Sequence, residues 1–66
     1  MTIKIDNVAD AAYIRLVDGV AYESEEVADG VVLDYDDSGR LVAIELLDIS
    51  KNLPGGVFSK VEVLPA

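Results

Sequence analysis

The residues best placed for chemistry lie in one run, "DYDDSGRLVAIE", from Asp34 to Glu45. Its spacing matches a calcium-binding loop: Asp34 stands first, Asp36 third, Ser38 fifth, Gly39 sixth and Glu45 twelfth. Oxygens in that order suit a hard divalent cation when the chain curls around it, with glycine at the sharp turn and a helix on each side. The flanks argue against that curl. "VVLDYD" is short, β-branched and alternating, and "LVAIELLD" also alternates cleanly. A β-hairpin explains the same letters, since Gly39 supplies a positive φ and Asp37 and Ser38 are turn formers. A two- or four-residue loop, Ser38–Gly39 or Asp37–Arg40, pairs Tyr35 with Val42, Leu33 with Ile44 and Val31 with Leu46. A three-residue loop would put these apolar residues on opposite faces, so the even register is expected. Asp34 then lies opposite Ala43, Asp36 opposite Leu41 and Glu45 opposite Val32, a spaced acidic strip on the outer face. Weak divalent-cation binding by Asp34, Asp36 and Glu45 is the alternative to a solvated acidic face.

Other chemistry is scarce. The chain has no His and no Cys, so the usual nucleophile–base pairs and the imidazole or thiolate metal sites are absent. Carboxylates such as Glu23, Glu25, Glu26, Asp34 and Asp36 remain as acid/base groups. A shallow sheet of this size offers little pocket to shift their pKa values. "PGG" at 54–56 lacks the lysine and helix of a phosphate loop. No catalytic residue and no cofactor is expected, and the chain is read as a non-enzyme.

At 66 residues the chain makes one small domain, 1–66. Such a domain hides only about 60% of its unfolded surface and leans on disulfides, metals or partners. Hydrophobic residues are 52% of it against 27% charged. That implies apolar surface beyond one sheet face, hence a homo-oligomer, with a dimer favoured. Val32, Leu41, Ala43 and Leu47, on the outer face, are the residues a second subunit or a C-terminal segment is expected to cover. The net charge of -8, from 13 acids and 5 bases, repels phosphate backbones and anionic lipid heads. Neither nucleic acid nor membrane is an expected partner; a basic protein is. The opening "MTIKIDNVAD" has no apolar leader and no run reaches membrane-spanning length, so the cytoplasm is expected.

The elements that must position these groups are mostly strands. "TIKID" alternates, and so does "AAYIRLV", where a helix from Asn7 (an α+β arrangement) competes with the preferred strand. Asp18-Gly19 reads as a two-residue hairpin pairing Val17 with Val20 and Arg15 with Tyr22. Arg15 and Tyr22 then make a surface contact, with a cation–π stack as the less favoured form. "VAYESEEV" suits an exposed edge, its glutamates resisting edge-to-edge aggregation. Asp29-Gly30 is a further turn. Ser50 can cap one helical turn ending before Pro54, and "VFSKVEVL" alternates as a last strand of the 51–66 tail, either an extra strand of the same sheet or one swapped into a neighbouring subunit. The fold class is therefore mainly β: a small antiparallel sheet of consecutive hairpins with at most a short helical turn near the C-terminus. Glu23, Glu25, Asp34, Asp36 and Glu45 form the candidate interaction surface.

The order of "DNVADAAYIRL" (6–16), "EEV" (25–27), "GVVLDYD" (30–36) and "GRLVAIELLDIS" (39–50) resembles the YuzE-like family of small prokaryotic domains of unknown function. The resemblance covers about residues 1–53. Ala12 stands where that family usually has Leu, and Ala43 where it often has Gly. It brings no catalytic or binding residues with it. Because some relatives sit beside small toxin-like proteins, it implies an antitoxin-like, partner-binding role.

Overall fold

A computed structural model of the chain describes residues 1–59 and 62. Five strands form one antiparallel sheet: β1 (Thr2–Asp6), β2 (Ala11–Arg15), β3 (Glu23–Ala28), β4 (Val31–Tyr35) and β5 (Leu41–Leu47). A single helical turn, α1 (Ile49–Asn52), follows. The fold is mainly β, as the alternating patterns predict, and the helix competing from Asn7 does not form.

The strand order is β1-β2-β5-β4-β3, which corrects the run of consecutive hairpins. Asp18-Gly19 does not join paired strands. Arg15 pairs with Thr2 on one side and Ala43 on the other, and its Nη1 donates to the Gly19 carbonyl at 2.6 Å. Tyr22 instead extends the β3–β4 ladder by donating its N–H to the Tyr35 carbonyl at 2.7 Å. The expected Val17–Val20 and Arg15–Tyr22 pairs are therefore absent. The reason is chemical. In consecutive order β3, with Glu23, Glu25 and Glu26, would be the middle strand of five. A middle strand needs side chains that pack against neighbours on both sides, which β5 supplies and β3 does not. The connection over 16–22 therefore crosses the end of the sheet and delivers β3 to the far edge, with Leu16 N–H donating to the Val42 carbonyl at 2.8 Å.

The β4–β5 hairpin resolves the parity question in an unexpected way. Its loop has three residues, Asp37 to Gly39: Asp36 N–H donates to the Arg40 carbonyl at 2.8 Å and Gly39 N–H to the Asp36 carbonyl at 3.1 Å. Gly39 has φ 80, the left-handed position such a loop requires. On its own that loop mismatches the faces. A bulge restores them, because Tyr35 pairs with Leu41 while Asp34 pairs with Ala43, leaving Val42 as an extra residue. Leu33↔Ile44 and Val31↔Leu46 then stand as expected, whereas Tyr35 opposes Leu41 and Asp36 sits across from Arg40. A second bulge places Val27 outside the ladder, between Glu26↔Val32 and Ala28↔Val31.

Alternation gives the sheet one apolar and one polar face. Across the apolar face run Ile3, Ile14, Ile44 and Leu33, then Ile5, Ala12, Leu46 and Val31. Among the described residues only Ala11, Ala12, Val42 and Ala43 are buried hydrophobics, and no large side chain is completely enclosed. Beyond β5 the chain folds back on the β1–β2 turn. Asp48 and Asp10 both take positive φ, and the carboxylate of Asp10 accepts from Ser50 N–H at 3.1 Å and Ser50 Oγ at 2.7 Å. Asp10, forty residues away, thus does for α1 what Ser50 was expected to do as a cap. Val57 and Ser59 lie in turns, with N–H bonds to the Pro54 and Gly56 carbonyls, so the expected last strand does not begin at Val57. Its remaining positions, 60, 61, 63 and 64, lie outside the described residues.

Candidate functional site: a carboxyl pair and an acidic edge

The central strands build the acidic site. Asp34 on β4 pairs with Ala43 on β5, and Glu45 stands two residues further along β5. On one face that makes Asp34 and Glu45 diagonal neighbours, within reach of each other. Asp34 is 6% exposed and accepts from Ser24 Oγ at 2.5 Å, a donor brought by β3. A hydrogen bond with Asp34 holds the Glu45 carboxyl above the ordinary carboxylate range, and burial and the charge of Asp34 push the same way. Two carboxyls this close favour keeping a proton between them.

Asp36 belongs elsewhere. Its Oδ1 accepts from Ser38 N–H and Arg40 N–H, both at 2.9 Å. Its Oδ2 pairs with Arg40 Nε at 3.4 Å. The Arg40 N–H bond is the largest influence holding Asp36 below its ordinary pKa, with Ser38 N–H and the guanidinium adding to it against partial desolvation. Both oxygens thus serve the turn. The spaced strip of Asp34, Asp36 and Glu45 becomes a pair plus a turn residue. Among the described residues no three acidic side chains converge as cation ligands.

The polar face around the pair is concave. Small Ala43 leaves a hollow of about 460 Å³ between Lys4 and Thr2 on β1, Tyr13 and Arg15 on β2, and the two carboxyls. Ala43 itself is buried beneath these neighbours. Val32 and Leu47 are half-buried, and Leu41 leaves the outer-face set because the bulge sets it beside Tyr35.

The third acidic group lies at the sheet edge. Every residue of β3 is exposed, so Glu23, Glu25 and Glu26 line a strand whose outer side has no neighbour in the sheet. Tyr22, 73% exposed, and Val20, 86% exposed, lead into it. The candidate surface residues therefore divide: Glu23 and Glu25 are open to solvent, Asp34 is enclosed, Asp36 builds a turn and Glu45 is bound to Asp34. The Asp34–Glu45 contact was readable from the register, which sets them on a diagonal. Ser24 was not, because it stands opposite Asp34 only through the bulge that leaves Val27 outside the β3–β4 ladder.

Among the described residues no helix is long and apolar enough to cross a membrane. No curated protein and no solved structure matches the chain. The model of a family described as protein of unknown function (DUF2283) matches residues 2–50, the whole sheet and the start of α1. The chain belongs to the DUF2283 family of proteins of unknown function.

Proposed function

We propose that this chain is a non-enzymatic, cytoplasmic interaction module whose acidic β3 edge receives a basic protein segment. The observation that supports it is the edge itself: a fully exposed strand carrying three glutamates and no basic residue. An extended segment adds to such an edge through main-chain hydrogen bonds, and its alternate side chains choose the edge they fit. Glutamates at an unpaired edge also repel further copies of themselves, so a lysine- or arginine-bearing strand is the complementary occupant. Exposed Val20 and Tyr22 offer an apolar foothold beside the charges. An antitoxin-like pairing with a small basic protein, in keeping with the YuzE-like order of motifs, is the finer form of this reading.

The test uses isotope-labelled protein and two extended peptides, one alternating Lys with Val and one alternating Glu with Val. The basic peptide is expected to shift the amides of Glu23–Ala28, with affinity falling as salt rises. A Glu23→Lys/Glu25→Lys/Glu26→Lys variant is expected to lose the effect. Shifts centred elsewhere, or equal binding of the acidic peptide, overturn the reading.

A further inference from the structure

We infer that a second copy of this chain covers the apolar sheet face, packing β5 over β5 to form a two-layer dimer. The inference stands independently of the β3 edge. A sheet with one apolar face is stable when a second layer buries it. Here Ile3, Ile14, Ile44, Leu33, Leu46 and Val31 remain half-exposed and Ile5 is exposed, while small Ala12 between them is buried. Among the described residues, other chain segments lie at the ends. At one end Leu16, at the start of the 16–22 connection, donates its N–H to the Val42 carbonyl at 2.8 Å. At the other, Ile49, Leu53 and Phe58 border a hollow of about 540 Å³ beside Ile5.

The exposed area is large for a chain of this mass. A folded monomer of 7.1 kDa has about 4,100 Å² of accessible surface, and this chain has 5053 Å². The excess is close to the roughly 800 Å² that each partner contributes to a standard interface. The radius of gyration, 12.7 Å, likewise exceeds the ~10.8 Å of a compact chain of this length, and the shortest extent is 19 Å. Stacking two such sheets about 10 Å apart restores compact proportions.

A second copy matches the face in width: both are five strands wide, whereas a single added strand spans only about 4.8 Å of it. Charge sets the orientation. On the apolar side of β3 stand Glu23 and Glu25, while β1 presents Ile3 and Ile5. A two-fold axis running along β5 lays β3 over the partner's β1 and keeps like charges apart, whereas an axis across the strands opposes β3 to β3.

Sedimentation and thermal melting at several concentrations test the inference. The wild type is expected to sediment as two copies, with a melting temperature that rises between about 1 and about 100 µM, as mass action requires of a dimer. Ile44→Lys, at the two-fold axis, is expected to weaken association by at least roughly a hundredfold, while Thr2→Lys on the polar face leaves it unchanged. A folded wild-type monomer at the highest concentration overturns the inference. So does a folded Ile44→Lys dimer of unchanged affinity. Should Ile44→Lys fail to fold, the wild-type melting series decides alone: a temperature independent of concentration refutes the dimer.

Discussion

Replacing Gly30 by alanine is the perturbation whose cost the geometry specifies best, because Gly39 provides an internal control. Both glycines have positive φ, 76 and 80. A side chain there costs about 1–2 kcal/mol through the clash of Cβ with its own backbone. At Gly39 that is the whole effect, since an added Cβ meets nothing within 4 Å. At Gly30 the new Cβ would lie 2.6 Å from Asn52 Nδ2 and 2.9 Å from the Leu47 carbonyl oxygen. Asn52 can swing away, but its bond to the Leu47 carbonyl, 3.2 Å, is then lost at about 0.5–1.5 kcal/mol. The Leu47 carbonyl is backbone and cannot swing. Moving it disturbs the bond from Leu47 N–H to the Gly30 carbonyl, 2.8 Å, and a forced shift of this kind costs about 1–3 kcal/mol. Gly30→Ala should therefore lose about 3–5 kcal/mol, comparable to the total stability of a domain this small. Urea unfolding followed by far-ultraviolet circular dichroism measures both variants, with a stabilising osmolyte added if Gly30→Ala is unfolded in buffer. Losses equal within about 0.5 kcal/mol, the additivity error, would refute the assignment of steric contact to Gly30.

The remaining expectations concern the carboxyl groups. Glu45 is raised above the ordinary glutamate value of 4.5, so its contribution to stability is complete below that pH and is lost as pH rises through the higher folded value. Glu45→Gln keeps a donor toward Asp34 and removes the repulsion. It should gain about 1 kcal/mol at neutral pH and flatten the stability profile above pH 4.5; a loss of stability at pH 7 sinks the pairing. Asp36 has the opposite sign, its contribution present above 3.8 and lost as pH falls through the lower folded value, so Asp36→Asn should flatten the acid limb in the same melts. Asp10→Ala removes both bonds to Ser50, and the amide of Leu53, bonded to the Ile49 carbonyl, should exchange faster by about tenfold, equivalent to ~1.4 kcal/mol. Unchanged exchange would mean that Asp10 does not anchor α1. Calorimetric titration with Ca²⁺ should give no heat at millimolar concentration, because Asp36 serves the turn and Glu45 is tied to Asp34; measurable binding abolished by Asp36→Asn would restore the cation site.

The strands were legible because their apolar residues alternate; what links them was less so. Leu33↔Ile44 followed from the demand that large side chains share a face, and the structure meets that demand with a bulge the letters do not announce. Val42 reads like any other alternating valine. Asp18-Gly19 looked like a hairpin because local turn chemistry is strong there. The competing fact, that β3 is too acidic to be a middle strand, was also in the sequence but acts over the whole sheet. An edge position for β3 and consecutive hairpins were incompatible from the start, and the edge prevailed. The carboxyl pair was half-visible: register placed Asp34 near Glu45, but Ser24 comes opposite Asp34 only because a bulge takes Val27 out of the β3–β4 ladder.

The position of β5 also bears on the birth of the molecule. Among the described residues it is the last strand in chain order and the middle one in space. Until Leu47 has left the ribosome, the chain holds two separate hairpin halves, β1–β2 and β3–β4, with no contact ladder between them. Isolated two-stranded hairpins are marginal in water. Leu47 must therefore have been made before any part of the sheet is durable, and β5 then closes it in one event, like the final stave of an arch.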